Sequence, residues 1–133
     1  MEREIDVNEA VGSFDVKLEP VGATDGPIGG LTIDKTFRGD LQGSSVGQML
    51  AYRSEVEGSA CYVALERVTA ALGSREGSFT LQHNGLMNKG TPSLTVVVVP
   101  DSGTEGLEGL TGEMEIIASP GRHDYKFRYT LPA

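Results

Sequence analysis

The chain has 133 residues, 18 of them glycine and none tryptophan, with a formal net charge of -8. This length fits one hydrophobic core, so we predict a single domain over residues 1–133. The acidic charge argues against nucleic acid or an anionic membrane as a partner, and a single cysteine, Cys61, excludes an internal disulfide.

The N-terminal sequence, MEREIDVNEAVGS, has neither the basic start nor the apolar centre of a signal peptide. No apolar run in the chain has the length of a membrane span. We therefore predict a cytoplasmic protein, and the lone cysteine fits a reducing compartment.

Eight segments, rich in Val, Thr, Phe and Tyr, alternate between apolar and polar residues, a pattern typical of strands. Short turn-forming connectors such as GDLQGS, GSREG and SPGRHD separate them, which favours neighbouring strands that pair in sequence order. The sequence therefore predicts an all-β fold, a single antiparallel β-barrel of about eight strands in meander order, with a mostly apolar lumen. The predicted strands are 12–19, 30–40, 45–55, 60–72, 77–88, 93–100, 111–118 and 123–131.

The second predicted strand carries a lysine on its apolar face. Leu31, Ile33 and Phe37 share that face, and the alternation adds Lys35 to it. Because an unpaired buried ammonium is costly, we expect Lys35 to lie near a rim or after a bulge, where it reaches water.

The fourth and fifth strands carry a pair of titratable groups on one face. If the GSREG turn has two or four loop residues, Tyr62 and Glu66 share the lumen side with Phe79 and His83, and a four-residue loop sets Glu66 directly opposite His83. A carboxylate beside an imidazole in a water-poor cavity suits acid/base catalysis. The same pair, with Lys35 or Arg67, also fits a buried polar network that fixes strand register. A three- or five-residue loop would invert the relation and bring Arg67 and Gln82 into the comparison instead.

The sixth strand, within SLTVVVV, is apolar on both faces. Its outer face needs a cover, either the N-terminal arm or a second subunit, and on this basis we predict a homodimer.

Two further features do not indicate a cofactor. The glycine-rich PDSGTEGLEGLTGE segment lacks the Lys-Ser/Thr ending of a phosphate-binding loop and precedes a strand, so its glycines are assigned to turns or bulges. The histidines, His83 and His123, lack metal-ligand spacing, and Cys61 falls on the face opposite His83. We predict no metal and no other cofactor.

The last strand places aromatic residues on one side, which we expect to face the lumen. They complete the predicted site: Glu66 and His83 as candidate catalytic residues, and Lys35, Tyr62, Phe79, Tyr125, Phe127 and Tyr129 as candidate ligand-binding residues.

Three segments, YVALERV, REGSFTLQHNG and VVVVPDSGTEGLEGLTGE, resemble the signature of an uncharacterised, largely bacterial domain-of-unknown-function family. The resemblance covers nearly the whole chain and implies an allene oxide cyclase-like β-barrel. Tyr62, Glu66, Arg67, Gln82 and His83 match the family pattern. The chain departs from that pattern at Ala64, where glycine is usual, and in EGLEG, where a shorter segment is usual.

Three functions follow from these observations. The first is the binding of one small apolar molecule in the lumen. The second is a cofactor-independent isomerase or cyclase in which Glu66 and His83 transfer a proton. The third is a packed barrel that acts through protein contacts, with the sixth predicted strand, the valine strand, as the interface.

Overall fold

The computed structural model describes residues 6–22 and 26–132. Eight antiparallel strands form a closed barrel in sequence order, with β8 pairing with β1, as predicted. Every predicted strand is present, and the bounds differ by four residues at most. The strands are β1 (Asn8–Val21), β2 (Ile28–Gly39), β3 (Leu41–Arg53), β4 (Ala60–Leu72), β5 (Arg75–Asn88), β6 (Thr91–Val98), β7 (Thr111–Ser119) and β8 (Arg122–Thr130).

The connector between β2 and β3 is shorter than predicted. Gly39 ends β2 with φ +102° and β3 begins at Leu41, so residues 41–44 of the predicted GDLQGS turn belong to the strand. The β2–β3 ladder ends at Phe37 and Gly43. Between the two strands Asp40 docks on β1: its backbone N–H donates to the Val11 carbonyl at 3.0 Å, and its carboxylate accepts from the Val11 N–H at 2.9 Å.

One end of the barrel is packed solid. The segment between β6 and β7, which includes a short 3₁₀ helix (Glu105–Leu107), folds across this end and buries Leu107 and Leu110. It lies so close to β5 that a Cβ at Gly77 would come within 2.0 Å of the Thr104 carbonyl oxygen. The glycine-rich segment thus covers the barrel rather than bending a strand.

Aromatic side chains fill the lumen behind this cover. Phe79 and Phe127 stack with ring centroids 5.8 Å apart, and Phe37 packs edge-on against Tyr125 at 5.9 Å. The Tyr125 hydroxyl donates to the Arg38 carbonyl at 2.8 Å and accepts from the Leu41 N–H at 2.9 Å, which ties β8 to the β2–β3 turn.

The opposite end is more open. Its inward-facing Leu18, Met87 and Leu94 remain 45%, 41% and 41% exposed. Along the described residues, β6 and β7 pair at a single position, Val97 with Glu113. The two strands separate from there towards the open end, and a cleft of about 270 Å³ lies along this seam.

Candidate functional site

The register of β4 and β5 determines the position of the predicted acid/base pair. Leu72 pairs with Arg75, so the turn has two loop residues, and Glu66 lies opposite Leu81 while His83 lies opposite Ala64. The four-residue alternative is therefore wrong, because the β-ladder continues to Leu72 and Arg75 and leaves only Gly73 and Ser74 in the turn. Both side chains still face inward, and the diagonal brings His83 Nε2 to 2.8 Å from Glu66 Oε1.

Glu66 is the centre of a buried polar network. Lys35 Nζ lies 3.0 Å from Glu66 Oε1, and Ser45 Oγ donates to Oε2 at 2.5 Å. Lys35 is 5% exposed and Glu66 is fully buried, so the expectation that Lys35 reaches water at a rim is wrong. Closure of the barrel explains the difference, because β2, β3 and β4 curve around the lumen and bring these side chains together.

Aromatic rings complete the environment of the ammonium group. Lys35 Nζ lies 4.7 Å from the ring centroid of Phe14 and 5.8 Å from that of Phe37. Such contacts stabilise a cation that has left water. The described residues contain no buried side-chain nitrogen or oxygen without a hydrogen-bond partner, so the network is satisfied within the protein.

The surroundings of Glu66 determine its charge. Burial alone raises the pKa of this carboxyl group, but the hydrogen bond from His83, the charge of Lys35 and the hydrogen bond from Ser45 together lower the pKa to about 2. Glu66 is consequently ionised at neutral pH. A carboxylate with so low a pKa is a weak proton acceptor, and its geometry suits it to orienting His83.

Tyr62 connects the network to the open end. Its hydroxyl lies 3.2 Å from His83 Nδ1, and its side chain is half-buried. Its ring lies against Gly85, where a Cβ would come within 2.5 Å of Tyr62 Cε1, so glycine provides the space for this ring position. Burial, with a smaller effect from the charge of Glu66, raises the pKa of Tyr62. The hydroxyl therefore keeps its proton at neutral pH.

The structure brings together part of the predicted set. Lys35, Glu66, His83 and Tyr62 form one connected chain of contacts. Three predicted ligand-binding residues, Phe79, Tyr125 and Phe127, are fully buried in the packed end and have almost no exposed surface to offer a ligand. Tyr129 is half-buried and stacks on Phe127 at 5.3 Å.

Two residues considered for the site lie elsewhere. Arg67 faces outward and donates to the hydroxyls of Thr80 and Ser78, so it does not join the Glu66 network. Cys61 also lies on the outer side of β4, one position from Tyr62, which confirms that it is on the face opposite His83.

Sequence reasoning missed Ser45, which contacts Glu66 directly. Ser45 pairs with Lys35 across β2 and β3. A correct β2–β3 turn would have revealed this pairing, because the register then sets the serine beside the buried lysine.

The outer face of β3 to β5 has a separate apolar surface. Val46, Leu50, Val63 and Leu65 are 63%, 55%, 51% and 58% exposed, and they line a shallow concavity of about 900 Å³. On the valine strand, Val96 and Val98 face the lumen and are buried, whereas Val97 is 36% exposed. The largest apolar exposure is thus on β3 and β4 rather than on β6.

Neither a metal cluster nor a membrane helix is found in the described part of the chain. No group of three His, Cys, Asp or Glu side chains there is placed to hold a metal ion. None of its helices has the length and apolar character needed to cross a bilayer. The cytoplasmic location remains a prediction.

Comparison with known proteins gives the family. A family model described as a protein of unknown function (DUF3224) matches residues 10–129. The chain belongs to the DUF3224 family. A crystal structure of a protein with unknown function from this family, from Shewanella oneidensis MR-1, is 43% identical, with a TM-score of 0.88 over 96% of this chain and 100% of that one. No curated protein matches the DUF3224 chain. The likeness to allene oxide cyclase-like barrels stays a prediction.

Proposed function

We propose that this DUF3224 protein binds one small, mainly apolar molecule at the open end of its lumen. The observation that supports this is the half-buried Tyr62 hydroxyl, the last group of the buried polar network, at the end of the barrel where the inward-facing Leu18, Met87 and Leu94 are partly exposed. A mostly apolar pocket with one oriented polar group is typical of small-molecule sites.

The seam between β6 and β7 supports access to this site. Leu94, Val96 and Met114 point inward and also line the cleft where the two strands separate. A ligand could therefore approach from the barrel end or from the side.

Native mass spectrometry of the protein purified from its own host tests the proposal. We expect an additional small mass in the gentle spectrum that is lost on denaturation. Leu94→Trp, which fills the open end, should lose this mass, whereas Val97→Trp, which faces outward from the same strand, should keep it. A bare wild-type mass, or retention of the ligand in Leu94→Trp, would contradict lumen binding and favour a barrel that acts through surface contacts.

An isomerase or cyclase is the second candidate, and one observation favours it. Glu66, His83 and Tyr62 form a carboxylate–imidazole–hydroxyl sequence that ends at the open part of the lumen. In this scheme Tyr62 and His83 transfer the proton, and the ionised Glu66 is a positioning residue. If the ligand is converted by the wild type, His83→Asn should abolish turnover while binding persists. Unchanged turnover would exclude this role.

We also propose that the predicted homodimer forms through the outer face of β3 and β4. Among the described residues that line its concavity, the single carboxylate is Glu66, whose side chain points into the barrel, and the outward-facing Arg67 is held by hydroxyls of its own barrel. This face of an acidic protein therefore brings no outward carboxylate against a copy of itself. Sedimentation velocity should show a dimer that Leu65→Lys dissociates and Val97→Lys leaves intact. A monomeric wild type, or dissociation by Val97→Lys instead, contradicts this interface.

A further inference from the structure

The chain of hydrogen bonds that joins Glu66, His83 and Tyr62 has a fixed donor and acceptor at each step. An ionised carboxylate can accept hydrogen bonds but cannot donate them. Lys35 Nζ and His83 Nε2 both contact Glu66 Oε1, and Ser45 Oγ contacts Oε2. Because Glu66 is the acceptor, His83 carries a proton on Nε2.

The charges of the network determine whether the other ring nitrogen of His83, Nδ1, carries a proton. The ammonium of Lys35 and the carboxylate of Glu66 balance each other at 3.0 Å. A doubly protonated His83 would add a second buried positive charge, and Glu66 supplies the only carboxylate among the described members of the network. Since an uncompensated buried charge is costly, the neutral imidazole is favoured, and its Nδ1 is an acceptor.

Tyr62 is then left with acceptor capacity alone. Its oxygen lies 3.2 Å from His83 Nδ1, and because Nδ1 is the acceptor, the single hydroxyl proton is donated to it. The lone pairs of the Tyr62 oxygen remain for a ligand, whereas no proton remains to donate to a carbonyl group. A charged donor is disfavoured because the network has no surplus negative charge to balance it.

We propose that the ligand presents a neutral hydrogen-bond donor, a hydroxyl group on an apolar skeleton, and that the Tyr62 oxygen accepts its proton. This inference rests on the proposed lumen binding and specifies its ligand class as alcohols or phenols. Carbonyl compounds and carboxylates of similar shape are selected against.

Calorimetric titration with matched probes tests the ligand class. We choose 2-naphthol with 2-methoxynaphthalene, and decanol with decyl methyl ether, because each ether keeps the oxygen and the skeleton but lacks the donor. Wild type should bind each alcohol about tenfold more tightly than its ether, the effect of one hydrogen bond. In Tyr62→Phe the ratio of alcohol affinity to ether affinity should fall to about one. Tyr52→Phe, on the outer face of β3, should keep the wild-type ratio.

The outcomes separate the two proposals. Equal binding of alcohol and ether to wild type, or a ratio that survives in Tyr62→Phe, would overturn the donor inference while leaving lumen binding in place. Tighter binding of 2-acetylnaphthalene than of 2-naphthol would show that Tyr62 donates, and would overturn it as well. Failure of every probe to bind a protein whose native spectrum carries a ligand would overturn the donor inference, whereas failure of every probe together with a bare native mass would overturn the proposed function itself.

Discussion

The ionisation of Glu66 makes a specific contribution to stability that depends on pH. Its pKa falls from an ordinary value of 4.5 to about 2 in the folded protein, where Lys35, His83 and Ser45 overcome the effect of burial. A tenfold change in proton affinity corresponds to about 1.4 kcal/mol, so the carboxylate contributes about 3 kcal/mol to the free energy of unfolding. Because the folded-state pKa is lowered, this contribution is present above pH 4.5 and is lost as the pH falls towards 2.

Urea unfolding of wild type and Glu66→Gln at a series of pH values measures this contribution. At pH 7 we expect the variant to be less stable by about 3–5 kcal/mol, because Lys35 loses the carboxylate that compensates it. The difference between the two proteins should shrink by about 3 kcal/mol between pH 5 and pH 2, since the wild type then loses its own carboxylate charge. Glu57→Gln, at an exposed position, controls for the removal of one negative charge.

A pH-independent difference between wild type and Glu66→Gln would refute this reasoning. If Glu66→Gln does not fold, Lys35→Met provides a second comparison, because it keeps the carboxylate with its donors His83 and Ser45. Its acid-dependent loss of stability should be smaller than that of the wild type, since the favourable charge of Lys35 is gone. An equal or larger loss would show that Lys35 does not hold the carboxylate ionised.

Four further variants test the division of the barrel into a packed and an open end. Phe79→Ala should lower the free energy of unfolding by about 3–5 kcal/mol, as a core deletion, whereas Tyr62→Ala should cost less stability and mainly weaken ligand binding, both measured by urea unfolding and titration. Tyr125→Phe should cost about 1–3 kcal/mol, because it leaves the buried Leu41 N–H without its acceptor. Gly85→Ala should displace the Tyr62 ring and reduce the alcohol-over-ether preference, with a folded barrel retained by circular dichroism.

The fold was accessible from the sequence because alternation and turn chemistry are local. Both are clear in β4 and β5, where Tyr62, Glu66, Phe79 and His83 face inward as the pattern predicts. The partners of Lys35 were not accessible in the same way. Its contact with Glu66 crosses from β2 to β4, and no ladder register gives the distance between strands that are not neighbours.

Local turn signals were also misleading where tertiary contacts determine the outcome. The GDLQGS segment has the composition of a loop, yet residues 41–44 continue the ladder because Asp40 docks on Val11 of β1. The glycines of the β6–β7 connection suggested bulges, but Gly77 and the connection together permit a close cover over the packed end. These arrangements depend on chain segments that are distant in sequence, which composition does not report.

The packed end of the barrel is filled by apolar side chains, whereas the region next to it buries charged groups. This contrast favours a ligand over a purely structural role for the network. The packed end fills the lumen with aromatic and aliphatic side chains. The neighbouring region instead buries Lys35 and Glu66, although apolar residues of similar volume at such positions are often neutral or stabilising. Tyr62 is the partner of the buried His83 Nδ1, but it makes this hydrogen bond from a half-buried position. Its hydroxyl is thereby oriented at the open end, which is useful when another molecule comes to bind there.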